Sequence, residues 1–126
     1  MIINCLAVGA GGFIGSVFRY LLGFLGPIIN KFEIPFDTFL INVLGAMLIG
    51  ALVQNAETNE MLSGPLMLFL KVGLCGGFTT FSTFSLGSFN LFSAGRYLPF
   101  AIYVIGSVAF CIIGVFAGKF LAGLFQ

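Results

Sequence analysis

The sequence has no histidine and very little charge. Its 126 residues include five Lys or Arg and four Asp or Glu, and charged side chains make up 7% of the chain. An ordinary soluble domain carries about 25%. With so few charges and 60% hydrophobic residues, the chain cannot clothe its surface for water, which places it in lipid. The four carboxylates, Glu33, Asp37, Glu57 and Glu60, all fall in predicted loops. Without a membrane-embedded acid or a histidine, a proton-coupled exchanger lacks a relay. There is no nucleophile–base pair and no metal cluster, so an enzyme is not expected. Cys5, Cys75 and Cys111 are odd in number, lie in apolar segments and form no CxxC; they read as packing residues and imply neither a disulfide framework nor a metal site. A net charge of +1 leaves no basic patch for nucleic acid. The start, Met1-Ile-Ile-Asn-Cys, lacks a basic n-region and its apolar run outlasts a signal h-region, so the first segment is expected to be a retained span.

What is present is enough apolar sequence for four helices of about 20 residues each. The first is predicted over about residues 2–25, the second over 36–53, the third over 61–92 and the fourth over 99–124, forming one transmembrane domain over 1–126. In the first, Ala7, Gly11 and Gly15 recur every four residues and make a face that another helix can approach closely. Arg19 continues that spacing. It either lends positive potential to an anion path or reaches to headgroups and loop carbonyls. In the second, Asn42 shares a face with Gly45 and Ala46; its amide serves either as an interhelical hydrogen bond or as a donor to an anion. Lys71, in the third, either snorkels or lines a wet vestibule. In the fourth, Tyr103, Ser107 and Cys111 form a semi-polar stripe, and Gly114, Gly118 and Ala122 form a small-residue stripe. The loops hold Gly26, Pro27, Asn30, Lys31, Glu33, Pro35 and Asp37; then Gln54, Asn55, Glu57, Asn59 and Glu60; then Ser93 to Tyr97.

The third segment organises the rest. As one rod it would measure ~48 Å at 1.5 Å per residue, against a hydrocarbon core of about 30 Å. Gly76-Gly77 offers a flexible point, and Thr79, Thr80 and Ser82 offer caps for a restarted helix. Two half-helices, about 61–75 and 82–92, follow. The first would end in bare carbonyls suited to a cation, and the second would begin with N–H groups and hydroxyls suited to an anion. Beyond the break, Phe81, Phe84, Ser85 and Ser88 share one face. The edge of an aromatic ring is its positive part, so Phe edges and hydroxyls can line a path for a small anion. Ordinary packing is the competing use of those rings. Lys31 and Arg96 on one side and Lys71 and Lys119 on the other leave no positive-inside imbalance, which permits insertion both ways up and antiparallel homodimers.

The block Gly76-Gly-Phe-Thr-Thr-Phe-Ser-Thr-Phe-Ser85, with Asn42-Val-Leu-Gly45 and, more weakly, Gly12-Phe-Ile-Gly15 and Phe18-Arg19-Tyr20, closely resembles the Fluc/CrcB family of fluoride channels. The resemblance covers essentially the whole chain. It implies an all-α membrane protein with four transmembrane helices, the third broken mid-membrane at about 76–81, assembled as an antiparallel, dual-topology homodimer with two pores. It implies that Phe81 and Phe84 are the pore phenylalanines whose ring edges contact fluoride and that Asn42 is a vestibule donor. Ser82, Thr83, Ser85, Tyr103 and Ser107 would form the hydroxyl track. The Gly76 and Thr79 carbonyls of both subunits would hold a structural Na+, and Arg19 would match the first-helix arginine. The activity implied is passive export of toxic fluoride from a microbial cytoplasm across the cell membrane. A small dual-topology multidrug exporter would share the four-helix design but needs a membrane carboxylate. A non-conducting assembly subunit would need only the small-residue faces.

Overall fold

The computed structural model describes residues 1–30 and 33–125; Lys31, counted above on the loop-one side, lies outside the described residues. These residues form helices and turns, with no strand among them. Four spans are long and apolar enough to cross a membrane: Ile2–Gly23, Phe36–Thr58, Gly64–Ser93 and Tyr97–Gly123.

Helix α1 (Ile2–Gly23) is followed by a single turn, α2 (Gly26–Ile29), begun by Pro27, which needs no N–H partner at a helix start. Loop one closes on Asn30 and Asp37. The Asn30 amide donates to Asp37 Oδ1 at 3.0 Å, and the Asp37 N–H donates to Asn30 Oδ1 at 3.2 Å. Asp37 thereby enters the first turn of α3 (Phe36–Thr58), where a negative charge suits the helix dipole.

Helix α3 runs five residues past the predicted end at Val53. Gln54, Asn55 and Glu57, predicted in loop two, are helical. No proline or glycine stands there to stop the helix. The Asn55 amide donates to Ala51 O at 2.9 Å, and Glu57 pairs with Lys119 of the last helix at 3.1 Å.

The third span comes in pieces. A turn, α4 (Gly64–Met67), leads into a π-helix over Leu68–Cys75, which continues as α5 (Gly76–Phe78). The backbone then becomes extended at Thr79 (φ −77°, ψ 158°) and Thr80 (φ −148°, ψ 113°). Helix α6 restarts at Phe81 and runs to Ser93. It ends on Gly95 in the left-handed region (φ 72°), with Gly95 N–H on Phe92 O and Arg96 N–H on Leu91 O, the paired C-terminal bonds that favour glycine. Helix α7 (Tyr97–Gly123) follows, starting two residues before the predicted Pro99.

Glycines set the packing. A Cβ on Gly11 would strike Phe69 O, and one on Gly15 would strike Leu74 O. A Cβ on Gly73 would meet Val8 O at 2.7 Å, and one on Gly77 would meet Gly12 O at 2.5 Å. α1 and the first part of the third span therefore touch backbone to backbone, their numbers rising together, as a parallel pair. α3 and α7 form a second parallel pair: Gly114 faces Val43 O at 3.2 Å and Gly118 abuts Met47 O. The predicted small-residue faces of the first and fourth segments are these contacts.

The Gly76-Gly77 pair is not the flexible point. Gly76 is helical (φ −64°, ψ −38°), as is the α5 turn it begins. Gly77 is needed for its approach to Gly12. The departure from helix falls two residues later, on two threonines, of which Thr80 finds partners for its freed backbone groups on another helix.

Candidate functional site

In a continuous helix the Thr80 N–H would bond Gly76 O, four residues back. Instead it donates to Asn42 Oδ1 at 2.8 Å, and the Asn42 amide donates back to Thr80 O at 3.1 Å. One carboxamide thus grips both backbone groups of the residue that leaves the helix. Gly45, one turn along α3, makes room for the other: the Thr79 methyl occupies the place where a Cβ on Gly45 would sit. The Asn42–Gly45 pattern is a socket for Thr79-Thr80. The Asn42 NH2 has two N–H donors, so its bond to Thr80 O engages one of them, and its side chain also lines the cavity described below.

The carbonyl end has its own partner. Phe81 N–H would serve Gly77 O in a continuous helix; here Arg19 Nε donates to Gly77 O at 3.1 Å and Ser16 Oγ lies at 3.5 Å. Arg19 thus holds a helix-terminal carbonyl, favourable for a cation at the negative end of the dipole. The carbonyl it holds belongs to a neighbouring helix, not to a loop. Thr79 folds back locally, its N–H and hydroxyl both donating to Cys75 O at 2.9 Å.

The restarted helix is capped as its hydroxyls predict. Thr80 Oγ1 accepts from Thr83 N–H at 3.3 Å, donates to Thr83 Oγ1 at 3.0 Å and lies 3.3 Å from Ser82 Oγ. This is an N-cap bond that satisfies one of the orphan donors.

A cavity of about 390 Å³ opens against this break. Asn42, Gly76, Thr79, Thr80, Phe81, Phe84 and Ser107 line it, with Lys71, Cys75 and Cys111 along its wall. Lys71 is exposed and also borders the cavity. The Phe81 and Phe84 rings have centroids 5.5 Å apart at 49°, and Phe84 lies 5.3 Å from the Tyr103 ring at 47°. Phe84 is thus partly embedded, whereas Phe81 is 79% exposed. Ser107 is only 4% exposed and its hydroxyl has no protein partner. Tyr103, 2% exposed, has no hydrogen bond of good geometry on its hydroxyl, with Thr38 the neighbouring side chain.

The structure therefore brings Asn42, Gly76, Thr79, Phe81, Phe84 and Ser107 to one cavity, with Tyr103 behind Phe84. Ser82, Thr83 and Ser85 lie on α6 outside that lining; Ser85 Oγ donates to Phe81 O at 2.9 Å. Two residues were not among the predicted site residues. Thr80 is the pivot of the break. Thr38 is buried at 4% exposure, and its signal was a hydroxyl one turn before Asn42. Among the described residues no group of His, Cys, Asp or Glu could hold a metal ion.

Four apolar spans, one of them interrupted beside a cavity of phenylalanine, amide and hydroxyl groups, define a multi-pass membrane protein. Comparison with known proteins is specific. A family model described as CrcB-like protein, Camphor Resistance (CrcB), matches residues 6–119, and the chain belongs to that family. Similar curated proteins include the "Fluoride-specific ion channel FluC" of Ruminiclostridium cellulolyticum, 45% identical over 120 residues, 95% of this chain and 92% of the relative. The protein of that name from Chlorobaculum tepidum is 44% identical over 123 residues, 98% of this chain and 97% of the relative. That of Chloroflexus aurantiacus is 43% identical over 124 residues, 95% and 98%.

Proposed function

We propose that the protein is a passive, fluoride-selective ion channel that lets cytoplasmic fluoride leave a microbial cell across its plasma membrane, and that it is not an enzyme. The observation that carries this reading is the cavity where Asn42, Ser107 and the rings of Phe81 and Phe84 meet at the helix break; the names of relatives that align over nearly the whole chain support it. Fluoride holds its water tightly. A path must replace that water with donors and stay narrow enough to reject larger halides. Ring edges carry positive potential, the α6 N-terminus contributes its dipole, and Ser107, Tyr103, Ser82, Thr83 and Ser85 supply hydroxyls. No carboxylate of the described residues lines the cavity, which favours conduction without proton coupling and weighs against a multidrug exporter.

The finer reading is a dual-topology antiparallel homodimer with two pores. In this reading the break lies near mid-bilayer, which the place of Thr79 and Thr80 near the middle of the 30-residue span Gly64–Ser93 supports. Phe81, 79% exposed beside the break, would be covered by a second copy. Gly76, also exposed, would face the same copy. The fit to a structural Na+ rests on backbone. Thr80 N–H, the helical donor for Gly76 O, is turned to Asn42, and Thr83 N–H is turned from Thr79 O to its own cap. Two such carbonyls from each of two copies would suit a hard cation. When bound, it would neutralise the carbonyl ends and lock the copies together.

The test is ion efflux from liposomes containing the purified protein. Rapid fluoride loss with chloride retained is expected. No fluoride efflux, or equal loss of chloride, refutes the channel reading. Cross-linking with a topology reporter at the C-terminus tests the antiparallel pair, and a single orientation refutes dual topology.

A further inference from the structure

Among the described residues, the Lys and Arg side chains are Arg19, Lys71, Arg96 and Lys119. Three of them are engaged. Arg19 holds Gly77 O, Arg96 pairs with Glu33, and Lys119 pairs with Glu57. Lys71 has no ion pair or hydrogen bond with any described residue, and it borders the cavity at the break. Its end of the cavity follows from the packing. Thr80 meets Asn42 and Thr79 meets Gly45, so the third span and α3 run in opposite directions there. Lys71 therefore lies beyond Gly45, on the side of Ile49, which lines the cavity with it. It stands in the first third of the span Gly64–Ser93, whereas Thr79 and Thr80 fall near the middle. The cavity thus reaches from the two phenylalanines at the break toward one edge of the span, where its wall carries an unpaired ammonium. No carboxylate of the described residues lines it, so that charge calls for water or a mobile anion.

We propose that Lys71 is the residue that collects anions for this cavity, raising their concentration ahead of Phe81, Phe84 and Asn42. This rests on the channel reading above. A charge set beside a low-dielectric wall draws in counter-ions and speeds their arrival. An ammonium is a compact point charge without a planar fork, so it attracts small anions as a class. Lys71 therefore sets how fast ions are supplied, and the narrower part between rings and hydroxyls sets which ion passes. In an antiparallel pair the two copies carry Lys71 toward opposite water phases, so the pair as a whole favours neither direction.

The competing use of Lys71 is to reach the headgroups from an exposed face, as long cationic side chains do. The two uses separate in fluoride efflux from liposomes, normalised to the protein reconstituted. Lys71→Met is apolar and close in size, so it suits lipid and spares insertion; Lys71→Gln serves if that variant fails to reconstitute. Anion collection predicts that either change lowers efflux several-fold, that Lys71→Glu lowers it further and that Lys71→Arg keeps it. The deficits should shrink between 0.01 M and 0.15 M salt, as the screening length falls from about 30 Å to about 8 Å, and fluoride-over-chloride discrimination should hold throughout. Phe81→Ile is run in parallel. Efflux lost in Phe81→Ile but unchanged in Lys71→Met and Lys71→Gln leaves the channel standing and overturns the proposal. A loss in Lys71→Arg equal to that in Lys71→Met also overturns it, since shape and not charge would then matter. So does altered discrimination, which would put Lys71 in the selective part. No efflux from the unmutated protein instead removes the channel reading itself.

Discussion

The two halves of the third span are drawn from similar residues and use them in opposite ways. Between Gly64 and Phe78 two glycines face inward: Gly73 and Gly77 lie against α1 backbone, and the terminal carbonyl of Gly77 is held by Arg19. From Phe81 to Ser93 many phenylalanines face outward and hydroxyls cap the helix start; Phe81, Phe89 and Phe92 are all exposed. One half is an anchor and the other, on the proposed function, a working surface, and Thr79-Thr80 is the joint between them. Each side of the joint is held from another helix, by Arg19 of α1 and Asn42 of α3. The comparison teaches that breaking a helix in lipid is a matter of re-partnering freed backbone groups, here with one guanidinium and one carboxamide.

The largest expected effect comes from attacking the anchor. Gly77→Val would drive a branched side chain into Gly12, whose carbonyl a bare Cβ already meets at 2.5 Å. Both partners are backbone and cannot swing aside, so the loss should exceed the roughly 1–3 kcal/mol of ordinary overpacking. Failure to recover monodisperse protein from detergent is the expected outcome. A variant with unchanged thermal stability would mean that the α1 contact is not an anchor.

Attacking the working surface should do the reverse, removing function and sparing assembly. Phe81→Ile and Phe84→Ile, made singly, should each cut fluoride efflux by more than tenfold while the elution volume stays put. Phe84→Ile should also lower thermal stability, since that ring packs on Tyr103 at 5.3 Å. Phe81→Ile should not, because its ring is covered by so little of its own chain. Wild-type efflux in both would return the rings to simple packing.

At the joint, Asn42→Asp separates grip from charge. The carboxylate can still accept from Thr80 N–H but cannot donate to Thr80 O, and it places a negative charge in the proposed anion path. Asn42→Ala loses both bonds, each leaving a buried group unsatisfied at about 1–3 kcal/mol. Asn42→Asp should therefore abolish efflux with the smaller loss of stability, and Asn42→Ala should lose more stability. The opposite order of stabilities would show that charge, not the Thr80 clamp, dominates at this position. Arg19→Gln comes next. It removes a charged hydrogen bond worth about 1.5–3 kcal/mol from Gly77 O, so thermal stability should fall while residual efflux keeps its selectivity. A loss of fluoride-over-chloride discrimination would make Arg19 part of the path and not only of the anchor.

Much of this was legible in the sequence. Four apolar runs, the fourfold spacing of Gly11, Gly15 and Arg19, and a third segment too long for one crossing led to the span count and to an interruption. The interruption falls at Thr79-Thr80, inside the predicted 76–81, but its cause was misassigned: glycine pairs weaken helices by propensity, whereas here Gly77 is held helical by a tertiary contact and the break sits where Asn42 can take Thr80. That bond spans 38 residues of sequence, and no local pattern reveals it. The extension of α3 through Glu57 was missed for a related reason: polar residues after an apolar run mark the edge of the lipid, not the end of the helix. The π winding of Leu68–Cys75 also left no signal in composition; along it Phe69 and Leu74 lie against the backbone of α1.

The smallest predicted effect lies on the hydroxyl side of the joint. Thr80 holds the backbone through its N–H and C=O, which any residue possesses, and caps α6 through its Oγ1, which few do. Thr80→Ala therefore leaves the Asn42 clamp intact and removes only the bond to Thr83 N–H at 3.3 Å and the local hydroxyl contacts. Loss of an N-cap costs about 0.5–2 kcal/mol, and Thr83 and Ser82 are exposed enough to find other partners. Stability should drop slightly and efflux should persist at a reduced rate. If Thr80→Ala instead abolished efflux as completely as Asn42→Asp, the Thr80 hydroxyl would belong to the anion path itself. The division between a joint that holds and a surface that conducts would then have to be drawn one residue earlier, at Thr79.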